Sequence, residues 1–485
     1  MISRRTSFII IIVVLSLLVG GLIGFYFYTK NKNPGSTILG NRIGGRTNFG
    51  GYDPDNQTAT SSTNTNTSTT TPITNDIVPV NTKVPKLRKI SDVPTAGVDF
   101  VTIPIYEDTN KNVEPADLSV SKTKVPVKKP LKFIGNKTVV RYIERATGHI
   151  YETATSSLEK VRISNTTEPK IYEAYFTNRG DNLILRGLIG SSDIISTRYA
   201  SLVLASTTDT ESEFSKILTT KDLPIQISQV AISPSKTQLF SISPSGVRGI
   251  LSKIDGGSTV GIFDTPYREW IPSWPEEKNI VLTTRASGFA PGFAYILNTP
   301  TRQITRILGN IYGLTTLTSP DLSKVLFSSS ERGTFTLNYL NRKDSSISNL
   351  SFKTLPEKCI WSKKDRNVLF CAVPENIAFS TYPDVWYQGL INFSDSIWRI
   401  DINTGETRLI MNIQNESGEV IDATNLYVSA GDDYLVFTNK VDLTLWGLQL
   451  VPPVEDTTAN PLDTINSINK ASTTSSSTAP TTPTN

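Results

Sequence analysis

The chain has 485 residues and a net charge of +4, with 48 basic and 44 acidic side chains interspersed. That distribution lacks the concentrated basic face a nucleic-acid partner needs, so none is expected. Two Cys, two Met and a single His exclude a zinc site at any usual Cys/His spacing and leave histidine chemistry only His149; no metal and no cofactor is expected.

In chain order, residues 1–7 carry Arg4 and Arg5, and Phe8–Tyr28 follows without a charge as FIIIIVVLSLLVGGLIGFYFY. At 1.5 Å per residue this run spans about 30 Å, the thickness of a bilayer's hydrocarbon core. Its aromatic end, Phe25–Tyr28, suits the headgroup level. A secretory signal peptide is the rival reading, but the run is long for one and no A-x-A-like site follows it. Arg4 and Arg5 place the start in the cytoplasm and the bulk of the chain outside it, in a single pass through the cell membrane. Gly20 and Gly24 form a GxxxG pair, which either packs two such helices or is ordinary membrane-helix glycine.

Residues 29–83 are rich in Ser, Thr and Asn, too poor in apolar area to fold, and read as a tether with a reach of ~40 Å. Residues 453–485 have the same composition and read as a disordered tail. Between them, residues 84–452 form one folded domain.

That domain repeats one phrase. Leu317–Ser330 reads LTSPDLSKVLFSSS: an alternating strand, a Ser-Pro-Asp turn and a second strand rich in branched and aromatic residues, the pattern of a tight antiparallel hairpin. Looser copies begin at Tyr175, Ala231, Ser273, Ile360 and Tyr427. Aligned on the Ser-Pro position, they have landmarks at Asn178, Pro234, Pro275, Pro320, Lys363 and Ala430, with middle intervals of about 41 to 45 residues, the period of a four-stranded propeller blade. Third strands are expected near Phe293–Asn298, Phe335–Tyr339, Ser396–Ile402 and Leu443–Leu450. Fourth strands are expected near Arg302–Leu308, Ile347–Phe352 and Glu406–Met411.

The copy ending at Leu450 lacks its fourth strand, and an open edge invites aggregation. Lys86–Ser91 (KLRKIS) reads like the fourth strand Lys160–Ser164 (KVRIS), so the N-terminal strand is expected to complete the C-terminal blade. A further blade then takes Ala96–Val101 as its first strand, an insertion over Thr102–Asn136, and later strands at Thr138–Glu144, His149–Thr153 and Glu159–Ile163. The expected fold is an all-β, seven-bladed β-propeller behind an N-terminal transmembrane helix and linker; one misjudged insertion would make it six or eight blades.

SPDLSKVLFSSS resembles the SPDG-x-x-[IL]-[AV]-F repeat of the TolB-like, or PD40, branch of WD40-like propellers, with Leu322 where that repeat has Gly. The resemblance covers nearly all of Lys86–Leu450. It implies protein–protein scaffolding outside the cytoplasm, or an accessory propeller beside a hydrolase; with only a polar tail after Leu450, no hydrolase domain is expected to follow.

Cys359 and Cys371 fall on the two strands of one hairpin and are expected directly opposite each other if its turn centres on Asp365. Outside the cytoplasm that geometry permits a disulfide; two small buried thiols are the alternative. The insertion Pro374–Asp395 (PENIAFSTYPDVWYQGLINFSD) joins second and third strands and collects Tyr382, Asp384, Trp386 and Tyr387. A loop with Tyr267, Arg268 and Trp270 opens on the same face. These seven residues are the candidate contacts for a protein partner or a cell-envelope glycan. The alternative is that the insertion folds over the central channel and plugs it, with its rings in a local core.

Hydrolysis finds little support. Propeller glycosidases need two carboxylates at a set spacing, whereas the acids here scatter over turns, and His149 reads as a turn residue at the rim. Glu107–Asp117 loosely resembles a calcium loop but has Val113 where Gly is required. The expected function is that of a binding scaffold; a carbohydrate-binding or hydrolytic envelope enzyme is the alternative.

Overall fold

A computed structural model describes residues 84–107, 132–188, 194–204, 216–223 and 226–451. Phe8–Tyr28, the tether, the basic run Lys122–Lys132 except its last residue, most of the calcium-like stretch, the polar stretch Ser206–Ser215 and the tail lie outside these residues. Among the described residues no helix is long and apolar enough to cross a membrane.

The described residues form seven four-stranded antiparallel sheets, each a blade. Blade 1 runs from Thr95 to Arg162, blade 2 from Ile171 to Asp222, blade 3 from Gln229 to Asp264, blade 4 from Trp270 to Tyr312, blade 5 from Thr316 to Leu350 and blade 6 from Cys359 to Asn412. Blade 7 takes three strands from Ala423–Gln449 and its fourth from Leu87–Ser91. The N-terminal strand pairs antiparallel with Leu445–Gln449, Leu87 opposite Leu448 and Ser91 opposite Leu445. The ring is closed by both ends of the folded chain.

Second strands are near-continuous apolar runs because neighbouring blades cover both of their faces. In Tyr434–Asn439 (YLVFTN) every residue is buried. The core lies in the seams between blades. Ile143 and Ile150 of blade 1 meet Ile171 and Leu183 of blade 2, and Phe370 and Ile397 of blade 6 meet Leu435 and Trp446 of blade 7. Buried arginines cross the seams as well: Arg141 of blade 1 donates to Gly180 O of blade 2 at 2.7 Å, and Arg186 of blade 2 donates to Ser228 O beside blade 3 at 2.7 Å.

The turn between first and second strands has one geometry in blades 3, 5 and 7. Ser233, Ser319 and Ser429 each accept, on the hydroxyl, the backbone N–H five residues on, at 3.0 Å. The third residue after each serine, Lys236, Leu322 or Asp432, is left-handed, with φ of 61°, 59° and 51°. The serine carries the repeat after the glycine is gone. Ser243–Gly246 makes the same turn at the other end of blade 3 and keeps a glycine, φ 76°, at that place.

Two expectations need correction. In blade 1 the insertion does not begin at Thr102. The first strand continues to Glu107 and the second begins at Lys132, while the third strand stops at Ala154, opposite Val139. A two-stranded ribbon therefore runs on past the blade. In blade 4, Pro275 lies inside the first strand, Trp270–Glu276, and the turn falls after it.

Candidate functional site

The channel is walled by the first strands, and its two ends differ. We call them the turn end, where first strands turn into second strands, and the crossover end, where the chain passes between blades. The Pro374–Asp395 insertion lies at the crossover end, and Pro374 and Asp395 pair with each other at its base.

From blade 6 the insertion reaches across its neighbours. Ser380 N–H donates to Gly333 O of blade 5 at 2.9 Å. The Asp384 carboxylate accepts from Ser287 Oγ at 2.7 Å and Gly288 N–H at 2.6 Å, both of blade 4. Asp384 opens a single helical turn, Asp384–Tyr387, which aims Trp386 back towards blade 7, where its indole N–H donates to Asp422 at 2.8 Å. Tyr387 Oη donates to Glu357. Tyr382, Trp386 and Phe393 pack with Phe335 of blade 5, with centroids 5.0 to 6.1 Å apart.

Beneath this cluster sits an ionic triad that the sequence reading missed. Lys358, Asp395 and Asp422 are each fully buried. Lys358 Nζ donates to Asp395 at 2.8 Å, to Asp422, and to Ala423 O at 3.0 Å, so all three ammonium protons are used. It also lies 5.3 Å from the Phe393 ring. Asp422 accepts in addition from Phe393 N–H at 3.1 Å. Burial, reinforced by the Asp422 charge, pushes the Asp395 carboxyl up to about 6 against the pull of Lys358. The signal in sequence is slight: a charge stands one residue before each of two apolar first strands, Cys359–Trp361 and Ala423–Val428.

This geometry divides the candidate contacts. Tyr382, Trp386 and Trp270 are buried, so they are corrected from displayed anchors to core: the first two belong to the insertion's cluster, and Trp270 packs edge-on to Phe263 and Tyr295. Asp384 is committed to blade 4. Tyr387, Tyr267 and Arg268 reach solvent. Cys359 and Cys371 are opposite each other in register and joined by a disulfide. His149 sits at the start of a strand with Nε2 3.2 Å from Thr167 Oγ1.

At the turn end the channel widens into a chamber of about 520 Å³ lined from all seven blades. Its wall includes Trp274, Trp361, Tyr175 and Tyr427, and exposed Pro234, Pro320 and Lys363 stand at its rim. Lys236 Nζ forms an ion pair with the Asp99 carboxylate, joining blade 3 to blade 1 across the opening. Burial and the Asp99 charge push the Tyr427 hydroxyl up to about 12. A smaller cavity of about 260 Å³, lined by blades 7, 1 and 2, lies towards the crossover end and shares Val98, Tyr175 and Tyr427 with the chamber. Asp99 is the one sequence signal here, an acid set between apolar Val98 and Phe100 in the first strand.

The described residues form a seven-bladed β-propeller. No family model and no curated protein matches the chain. Solved structures similar to the propeller include an oligogalacturonate lyase in complex with manganese, 9% identical, TM-score 0.45, over 65% of this chain and 86% of that one. An oligogalacturonate lyase from Vibrio parahaemolyticus is 12% identical, TM-score 0.43, over 66% and 87%. TolB from Acinetobacter baumannii is 13% identical, TM-score 0.36, over 72% and 79%. At these identities the likeness is one of fold.

Proposed function

We propose that the protein is a membrane-anchored, extracytoplasmic scaffold that binds a protein or cell-envelope partner at the turn end of the propeller. Phe8–Tyr28 is the anchor and residues 29–83 the tether. One observation carries the choice of end. Three of the insertion's five rings, Tyr382, Trp386 and Phe393, are spent on the propeller's own core, leaving Phe379 and Tyr387 exposed on its surface, whereas the turn end keeps an aromatic-walled chamber of about 520 Å³ behind a rim of exposed Pro and Lys, within the size range of pre-formed binding sites. The rival hydrolytic reading has one carboxylate in the chamber lining, Asp99, and it is already paired with Lys236; glycoside hydrolysis needs two.

The test is site-specific photo-crosslinking in intact cells. A photoreactive residue replaces Lys363 at the turn end or the 71% exposed Leu390 at the crossover end. Adducts from position 363 and not from 390 support the assignment. Adducts from position 390 alone move recognition to the insertion, and a chain recovered in the soluble fraction removes the anchor.

A further inference from the structure

Among the described residues Lys358 is the one buried lysine. It ends a short 3₁₀ turn, Pro356–Lys358, just ahead of the first strand of blade 6. Asp422 holds the same place ahead of the first strand of blade 7, Ala423–Val428, and Asp395 opens the third strand of blade 6. Backbone contacts fix all three. Lys358 N–H donates to Leu355 O at 2.9 Å and Asp395 N–H to Ile421 O at 3.1 Å, while Asp422 N–H donates to Asn439 Oδ1 at 3.2 Å. A fully buried charge triad adds little net stability over apolar packing, because desolvation offsets the attraction. The same burial favours a reaction that removes the charges.

The two carboxyls are not equivalent. Asp422 Oδ1 accepts from Lys358 Nζ, and Asp422 Oδ2 accepts from Trp386 Nε1–H at 2.8 Å and Phe393 N–H at 3.1 Å. Two fixed donors on one carboxyl oxygen form an oxyanion hole, since they hold the charge that gathers there when a nucleophile adds to the carbon. Asp395 Oδ2 accepts from Lys358 Nζ at 2.8 Å and from Ala423 N–H at 2.6 Å. Its Oδ1 is buried without a hydrogen-bond partner among the described residues, which suits a carboxyl that carries a proton. Burial, reinforced by the Asp422 charge, pushes that carboxyl up to about 6, in the range of a group that gives and takes protons near neutrality. The rings of Phe393 and Trp386, 5.3 and 5.5 Å from Nζ, close over the site and keep water from competing.

We infer that the triad is the reactant of a self-catalysed cross-link: Lys358 Nζ condenses with Asp422 Cγ into an isopeptide amide between blades 6 and 7. The ammonium first passes a proton to Asp422 Oδ1 across their hydrogen bond, leaving an amine beside a neutral carboxyl. Nζ then adds to Cγ while Trp386 and Phe393 hold the charge on Oδ2. Asp395 takes a proton from Nζ and gives its own to the departing hydroxyl of Asp422. The Nζ–Cγ bond forms, the Cγ–Oδ1 bond breaks and one water leaves. Asp395 ends protonated, as it began, and nothing is oxidised or reduced. An ammonium and a carboxylate become a neutral amide, so two buried charges disappear. Groups held in contact in this way react at effective concentrations that reach about 10⁵–10⁸ M. The amide spans the seam beside blade 7, the blade whose sheet closes the ring.

The test is mass spectrometry of the full chain after reduction of the Cys359–Cys371 disulfide, each variant being compared with its own sequence mass. The wild type should be lighter by one water. Its tryptic map should lack cleavage after Lys358 and contain one branched peptide joining Lys358 to Asp422. Asp395→Asn keeps an acceptor for Lys358 and for Ala423 N–H but cannot relay a proton, so it should melt cooperatively at its full sequence mass. Trp386→Phe removes one of the two oxyanion donors and should slow the appearance of the branched peptide by about 10²-fold in pulse-labelled chain. Wild type that melts cooperatively at its full mass, with trypsin cutting after Lys358, overturns the cross-link. A branch to residue 395, or loss of ammonia from the Asp395→Asn chain, overturns the choice of Asp422 as the carbon attacked. Water lost as readily from Asp395→Asn as from the wild type overturns the proton relay.

Discussion

Leu87 lies opposite Leu448, and that pairing joins the first described strand to the last. Three residues further along, where the register shifts between Lys89 and Ser91, Ile90, 2% exposed, packs with Val436 and Leu445 of blade 7 and Val98 and Val140 of blade 1, so it seals both the sheet and the seam beside it. Ile90→Ala should cost about 2–5 kcal/mol through lost burial and an unfilled cavity, read as a lower guanidinium midpoint with little change of slope. A change below about 0.5 kcal/mol, the scale of an ordinary surface substitution, would mean the strand contributes little to closure.

Leu322 occupies a left-handed position, φ 59°, where the equivalent turn at Gly246 keeps glycine. A non-glycine residue pays about 1–2 kcal/mol for that conformation, while glycine in exchange loses more chain entropy on folding, about 0.5–1 kcal/mol. Leu322→Gly should therefore stabilise the propeller by about 0.5–1 kcal/mol, detectable by denaturant titration. The backbone N–H of residue 322 still reaches Ser319 O, at 2.9 Å in the wild type. Destabilisation instead would show that the half-buried leucine side chain supplies more than its backbone costs.

Much of this architecture was legible because blades repeat. The serine of the turn, the alternating first strand and the apolar second strand recur at a period set by blade size, and the unmatched strand at Leu87–Ser91 could be assigned by asking which edge lacked a partner. The candidate site was less legible. An aromatic in an insertion reads alike whether it faces a partner or a neighbouring blade, and Tyr382 and Trp386 are inside because Ser287 and Asp422, which lie outside the insertion in sequence, hold the loop down through Asp384 and Trp386. Nor does sequence register which first-strand residues converge on the axis. Asp99 and Lys236 lie 137 positions apart and meet only when the ring closes.

The ammonium of Lys358 pairs with two fully buried carboxylates. Lys358→Met keeps the side chain's length but strands Asp395 and Asp422 side by side, so the loss should reach about 3–5 kcal/mol. A double change, Lys358→Met with Asp395→Asn, should recover part of it. If the single variant melts within a degree or two of wild type by calorimetry, the triad is not holding the insertion in place.

Trp386 and Tyr387 are where a plug and a partner site make opposite forecasts. Trp386 is 3% exposed and hydrogen-bonded to Asp422, so replacing both with Ala should lower stability by about 3–5 kcal/mol, as for other buried aromatics. Partner capture by crosslinking at position 363 should be unchanged at a temperature where the variant is still folded. Capture abolished with the melting curve intact would restore the insertion as the recognition surface.

The pH dependence of the triad has a definite sign. Asp395 has a carboxyl held at about 6 in the fold against an ordinary value of 3.8. Between those limits the folded chain keeps a proton that the unfolded chain has released, so the contribution is full below about pH 4 and is lost as pH rises through 6. The difference is worth about 3 kcal/mol at 1.36 kcal/mol per pH unit. Asp181, Asp321 and Asp401 run the other way: despite some burial, their hydrogen-bond partners hold their carboxyls below the usual range, and their contributions fade as pH falls. The whole-protein curve is a sum, so the informative quantity is the difference between wild type and Asp395→Asn. Asparagine can still accept from Lys358 and Ala423 N–H through its carbonyl, but it cannot titrate. Relative to wild type, the variant should therefore gain stability steadily from pH 4 to pH 7, followed by urea midpoints at closely spaced pH. Parallel curves across that range would show that Asp395 is ionised throughout, with Lys358 outweighing both burial and Asp422.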